Sequence, residues 1–248
     1  VTVAGAQASR ACGLGRGRPS PVVIVLAGGD IVQPGRILPN AALLIDGARI
    51  AAVEPHARVD MAGATVIQIP NCYVVPGFID VHVHGVEGCD TLDEDDGIAH
   101  IASRLPRYGV TAFCPTTVAC TPAALRAVLS KVAEARAARP ATSARVLPAH
   151  LESNFINPDY RGAQPLSCLR RPSDQAGDRE GEFSAADILA VIASARTDVG
   201  IVTLAPELPG GINLIRALVA AGTRVSLGHS GATLDEAMAA IDAGARHA

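Results

Sequence analysis

Two histidines one residue apart, with an aspartate just before them, stand in the segment Phe78-Ile79-Asp80-Val81-His82-Val83-His84-Gly85. Apolar and polar side chains alternate along it with a period of two, the pattern of a strand with two unlike faces. Val81 and Val83 point to one side; Asp80, His82 and His84 point to the other. Neighbours on one face of such a strand lie about 6–7 Å apart. Two imidazoles so placed can swing together onto one cation, at bonds of about 2.0–2.1 Å. Gly85 then ends the strand and lets the backbone turn. The competing reading is a core pair whose polar atoms find ordinary hydrogen-bond partners. The position of the pair at the very end of an apolar strand, beside Asp80 and before Gly85, favours the cation.

Such groups need a scaffold to hold them. From Phe78 onward, strand-like runs at 78–84, 110–116, 145–152, 200–206 and 223–229 alternate with helical ones. Thr121-Pro122 reads as an N-cap followed by proline at the first helical position, with Leu125, Val128, Leu129 and Val132 on one apolar face. Ser184 heads a second helix whose Ile188, Leu189 and Ile192 are expected to face inward. A third runs from Ile212 to Ala221 and is closed by Gly222, and Thr233-x-x-Glu236 is the capping box of a fourth. Repeated strand–helix units imply parallel strands with right-handed crossovers. A doubly wound sheet is one solution. An incomplete (β/α)8 TIM barrel is preferred, because the candidate chemical groups fall at the C-terminal ends of several strands. Five strands are present, with Arg246-His247-Ala248 opening a sixth.

Before this region, from Val22 to Val75, short β-type runs alternate with turn residues. Asp46-Gly47 between two apolar runs signals a hairpin. The expected organisation is α/β: a disordered tail or non-native extension at 1–20, the N-terminal part of a small β-sandwich domain at 21–75, and a truncated barrel at 76–248. The tail, Gly/Arg/Ala-rich, has no apolar signal-peptide core.

Composition narrows the function classes. The chain has 248 residues, 49% apolar and 18% charged, with a net charge of −3. That balance gives no basis for nucleic acid or an anionic membrane as a partner. Val22 to Ala27 is too short an apolar run to span a bilayer. The cysteines (Cys12, Cys72, Cys89, Cys114, Cys120 and Cys168) form no Cys-x-x-Cys pair, so reduced thiols in a cytoplasmic protein are expected. Cys89 lies near the histidine pair, as a candidate stray ligand.

The stretch Pro76-Gly77-Phe78-Ile79-Asp80-x-His82-x-His84-Gly85 resembles the first barrel strand of the amidohydrolase superfamily. Later stretches narrow the resemblance to the N-acetylglucosamine-6-phosphate deacetylase family. They are Ala149-His150-Leu151-Glu152, Phe155-Ile156-Asn157-Pro158, Arg161-Gly162-Ala163, Thr203-Leu204-Ala205-Pro206-Glu207 and Ser226-Leu227-Gly228-His229-Ser230-Gly231-Ala232-Thr233. These motifs follow the family's order across residues 22–248.

The resemblance implies a divalent-metal site with His82, His84, Glu152 and His229 as ligands, holding one ion or two with Glu152 shared. Zinc is the first choice, and iron or another divalent ion also suits imidazole and carboxylate. The superfamily's alternative bridge, a carboxylated lysine, is not available, since Lys131 is the single lysine and sits in a predicted helix. His150 is expected to support the ligands from behind, and His56, His100 and His247 to lie on the surface or in loops. A divalent ion brings the pKa of its water to about 7 and polarises a carbonyl, which is the chemistry of amide hydrolysis.

The implied reaction is removal of acetate from N-acetylglucosamine 6-phosphate in a cytoplasmic enzyme, a homodimer when full length. The aspartate that protonates the amine in this family falls beyond residue 248, so no catalytic proton donor is assigned. The long stretch from Ser153 to Phe183 is expected to grip substrate, with Ala163 and Gln164 as contacts. Two departures from the family pattern occur there. Ser153-Asn154 replaces Gly-Pro after the glutamate, and Gln164, which cannot carry charge, replaces a histidine. The alternatives are an N-acyl-amino-acid deacetylase, a cyclic-amide hydrolase, or a non-catalytic scaffold of the same fold. With three barrel strands absent, the fragment by itself is expected to be inactive and prone to aggregate.

Overall fold

The computed structural model of the chain describes residues 23–138, 140–174 and 182–248, so the expected tail at 1–20 and Cys12 lie outside the described residues. The chain divides into two compact units at Pro76 and Gly77.

In the first unit, β1 (Val23–Gln33) pairs antiparallel with β2 (Arg36–Asp46), and β2 with β3 (Arg49–Pro55). The β2–β3 turn places Gly47 at φ +57°, in the left-handed region that glycine adopts at no steric cost. β4 (Thr65–Gln68) and β5 (Tyr73–Val74) join β1 in parallel, giving one mixed five-stranded sheet with β1 inside it. Alternate residues of β1, Val25 and Ala27, pack with Ala42 under Val59, Met61 and Val66.

The second unit contains the parallel strands. β6 (Phe78–Val83) is followed by a small hairpin of β7 (Gly85–Val86) and β8 (Cys89–Asp90). A Cβ on Gly85 would lie 2.1 Å from the Cys89 carbonyl oxygen, so only glycine permits this turn directly after His84. β6 pairs with β9 (Val110–Thr117), whose other edge receives β10 (Arg145–Val146) and β11 (Ala149–Glu152) in succession. One barrel strand is thus interrupted at Leu147-Pro148, where proline has no N–H to give the ladder. β12 (Val199–Leu204) and β13 (Arg224–Leu227) continue the curl in parallel. A parallel bridge from Ser226 to His247 marks a sixth position. The result is a partial (β/α)8 barrel.

The helices cover its outer side. α1 (Gly97–Arg104) was not anticipated; it buries Ile98, Ile101 and Ala102. α2 (Pro122–Ala138) buries Leu125, Val128, Leu129 and Val132, as their spacing predicts, and Thr121 Oγ1 accepts the Ala124 N–H at 3.2 Å. α3 (Ala185–Ser194) starts at a Ser184–Asp187 capping box and buries Ile188, Val191 and Ile192. Val191, not Leu189, takes the central inward position; Leu189 is half-buried at the margin of the core. α4 (Gly211–Ala220) is followed by Gly222 at φ +87°, and α5 (Leu234–Asp242) begins at the Thr233–Glu236 capping box. Caps of this kind contribute about 1 kcal/mol each. Phe113, Leu129, Leu151, Ile188, Leu204 and Ile215 are fully buried between strands and helices. Each stabilises the fold by about 1.5–3 kcal/mol through burial alone. No helix among the described residues is long and apolar enough to cross a membrane.

Candidate metal centre

The ends of β6, β11 and β13 bring the sequence-predicted ligands together. β6 is held at its end by the Val83 N–H, which donates to Thr116 Oγ1 of β9 at 2.8 Å. The His82 N–H donates to Asp80 Oδ1 at 3.0 Å. His82 Nε2 and His84 Nε2 then approach to 3.1 Å. Glu152, the last residue of β11, lies against both: Oε1 is 3.4 Å from His82 Nε2, and Oε2 is 3.3 Å from His84 Nε2. Each of the three offers a ligand atom, and these atoms all fall within 4.8 Å of one another. Cys89 is not part of this group.

His229 follows β13 and meets the same carboxylate, with Nε2 2.8 Å from Glu152 Oε1, the oxygen that also faces His82. Its backbone is left-handed, at φ +50°, a conformation that costs a non-glycine residue energy unless its surroundings enforce it. Three contacts to the carboxylate of Glu207 do so. Asn157 Nδ2 donates to it at 2.9 Å, Ser230 Oγ at 2.7 Å and the Gly231 N–H at 2.7 Å. His229 Nδ1 lies 2.8 Å from the Tyr160 carbonyl oxygen. A carbonyl only accepts, so Nδ1 carries a proton, and Nε2 is the nitrogen turned to Glu152.

His150, one residue before Leu151 in β11, is 1% exposed. Its Nδ1 donates to the Val81 carbonyl at 2.7 Å, which leaves Nε2 to accept from the Thr203 hydroxyl at 2.6 Å. The ring meets that of His82 edge-on, with centroids 4.7 Å apart. It therefore pins the β6 backbone between Asp80 and His82. His247 departs from its expected place in a surface loop. It is half-buried, its Nδ1 is 2.9 Å from Ser226 Oγ, and its ring centroid is 6.2 Å from that of His150. Lys131 stays on α2, where its ammonium donates to the carbonyls of Asp93, Glu94 and Asp95.

Of the two residues expected to meet substrate, Ala163 is exposed and Gln164 is buried. Gln164 donates its amide N–H to Glu152 Oε2 and accepts the Ala119 N–H on its oxygen at 2.6 Å. Tyr160, Thr203 and Glu207 support the site through contacts that sequence reasoning did not assign. Thr203 and Glu207 stood inside a quoted motif, whereas the Tyr160 carbonyl carries no side-chain signal at all.

The electrostatics follow from this packing. Burial penalises the charged Glu152, but hydrogen bonds and charge from His84 and His229 outweigh it and bring its pKa down to about 2. The same hydrogen bond to Glu152 raises His84 above its ordinary value, while burial lowers His82. Burial takes His150 down to about 4, so its ring stays neutral.

The donor set fits a divalent cation. Ligands at about 2.0–2.1 Å around a tetrahedral ion stand about 3.3 Å apart. The His82, His84 and Glu152 atoms are separated by 3.1, 3.3 and 3.4 Å. Among the described residues, three imidazole nitrogens face one carboxylate whose amide donor is Gln164. The remaining attraction has to come from shared protons or from a cation.

No protein-family model matches the chain. It is 37% identical over 231 residues to the N-acetylglucosamine-6-phosphate deacetylase of Rattus norvegicus, covering 89% of this chain and 51% of that protein. It is 34% identical over 197 residues to the N-acetylgalactosamine-6-phosphate deacetylase of Escherichia coli O157:H7, covering 79% and 48%. Among solved structures, a variant of N-acetyl-D-glucosamine-6-phosphate deacetylase from Mycobacterium smegmatis, in complex with N-acetyl-D-glucosamine-6-phosphate, superimposes with a TM-score of 0.73 at 27% identity. That match covers 92% of this chain and 54% of the other. The chain spans about half the length of the curated relatives it matches.

Proposed function

We propose that this chain, which belongs to the N-acetylglucosamine-6-phosphate deacetylase family, supplies the metal-holding wall of an active site that removes acetate from N-acetylglucosamine 6-phosphate. The observation that carries the metal is the convergence of His82, His84 and His229 on the two oxygens of Glu152. In this reading these four residues are the ligands, with Glu152 between the His82–His84 pair and His229. Zinc is preferred, since a set of imidazoles with one carboxylate suits it. A bound divalent ion supplies an activated water and polarises the amide carbonyl. The protein's own part is to hold the ligands. Val81 is gripped by His150, Tyr160 sets the face of His229, and Glu207 fixes the loop behind it. Residues 76–248 are the hydrolase barrel in this account, and 21–75 a part of a small β-sandwich domain.

The names of the relatives support the sugar-phosphate substrate. Both N-acetylglucosamine- and N-acetylgalactosamine-6-phosphate deacetylases occur among them, so the test uses both sugars. The complete gene product, loaded with zinc, is assayed for acetate release from each 6-phosphate and from N-acetyl amino acids. Faster turnover of N-acetylglucosamine 6-phosphate is expected. A preference for N-acyl amino acids would replace the proposal with a different amidohydrolase.

A further inference from the structure

We infer that Gln164 is a positioning residue for the carboxylate of Glu152 and not a contact for substrate. The inference rests on the metal-site reading above and assigns one buried side chain a part in it.

Gln164 is 3% exposed, although it lies on the long connection between β11 and α3. The orientation of its amide follows from its neighbours. The Ala119 backbone N–H can only donate, and it lies 2.6 Å from one end of the amide, which must therefore be the oxygen. The other end is the NH2 group, and it donates to Glu152 Oε2. The backbone of Gln164 is tied as well. Its N–H donates to the Arg161 carbonyl at 3.0 Å, and the Arg161 guanidinium donates to its carbonyl oxygen at 3.2 Å. One amide thus links the chain just past β9 to the last residue of β11, across the mouth of the barrel.

Two consequences follow for Glu152. A lone pair of Oε2 is engaged by Gln164, so the carboxylate cannot rotate freely. Oε1 stays turned toward His82 and His229, and Oε2 toward His84. The donor is also neutral. It stabilises the ionised carboxylate without placing a positive charge where a cation must come. Both ends of the amide are engaged inside the protein.

The test is zinc affinity, read by competition with a chromophoric chelator on the full chain, for wild type and for Gln164→Met, which keeps the length but not the hydrogen bonds. A weakening of about 10–100-fold is expected, the range usual for losing a partner that orients a ligand. Gln164→Asn, with an amide too short to span Ala119 and Glu152, is expected to weaken binding too, and serves if the methionine variant does not fold. Either folded variant binding zinc as wild type does, with only KM for the sugar phosphate raised, would overturn the inference and return Gln164 to the substrate. If wild type itself takes up no zinc, the metal-site reading fails, and that result is distinct from equal binding by wild type and variant.

Discussion

The carbonyl oxygen of Tyr160 stands 2.8 Å from Nδ1 of His229, and this contact decides which side of the imidazole meets Glu152. With a proton held at Nδ1, a neutral ring would face Oε1 at 2.8 Å with Nε2 as an acceptor facing an acceptor. Without a shared proton or a cation that approach is repulsive. The 3.1 Å approach of His82 Nε2 to His84 Nε2 differs, since one neutral imidazole can donate there to the other. A proton or a cation between His229 and Glu152 turns that contact into an attraction.

Substituting the carboxylate removes the group that all three imidazoles share. Glu152→Ala is expected to lower zinc affinity by more than the roughly 10–100-fold that follows loss of an orienting partner. Equilibrium dialysis on the variant checks this. Unchanged affinity would place the ion elsewhere.

With His84 as a ligand, as proposed, protons compete with the metal for it. Its hydrogen bond to Glu152 raises its pKa above 6.5, so it holds a proton at higher pH than an ordinary imidazole does. Zinc bound there would have to displace that proton, and affinity is therefore expected to rise as pH climbs through and above 6.5, with protons released on binding. Calorimetric titration in buffers of different ionisation heat measures the release. Affinity independent of pH, with no proton released, contradicts the arrangement.

His150 links acid stability to the same region. Burial lowers its folded pKa to about 4, against 6.5 for the free ring. Its contribution to stability is thus fully present above about pH 6.5 and is lost as pH falls toward 4, because the unfolded chain binds the proton first. The difference amounts to about 3 kcal/mol. His150→Phe should flatten this part of the stability–pH curve. It should also cost about 1–3 kcal/mol at neutral pH, since the Val81 carbonyl loses its donor. For a chain of this size that is a fall in Tm of about 2–4 °C per kcal/mol. Urea melts at several pH values test both effects.

The cysteines should separate by burial. Cys114 and Cys120 are buried, and burial pushes their thiols up to about 11 and about 12. Cys72 is exposed. Near pH 8, maleimide is expected to label Cys72 in the native protein, and Cys114 and Cys120 only after denaturation, because the thiolate is the reactive form. Rapid native labelling of Cys120 would mean that the barrel opens readily.

Much of the barrel was legible because strand alternation and helix spacing are local. The His82–His84 face, the buried face of α2 and the Thr233–Glu236 cap all follow from residues within one or two turns of each other. α1 escaped notice although Ile98, Ile101 and Ala102 have helical spacing. It is eight residues long, follows an acidic run, and its N-cap Asp96 makes no side-chain hydrogen bond. Leu189 and Val191 compete for the same helical stripe, and only tertiary packing settles which turns inward. His247 looked like a loop residue because its partner, Ser226 on β13, is distant in sequence. At the site, strand parity says which side chains share a face but not how far apart two strands stand. The Gln164 bridge to Ala119 and the Tyr160 hold on His229 span 45 and 69 residues, and no local pattern encodes either.

Zinc content after dialysis against the free ion tests the central claim most directly, with wild type set beside a His82→Ala/His84→Ala/Glu152→Ala variant. Wild type is expected to retain at least stoichiometric zinc, and the folded triple variant to retain none above background. Wild type emerging metal-free, or a triple variant holding as much zinc as wild type, would contradict the account.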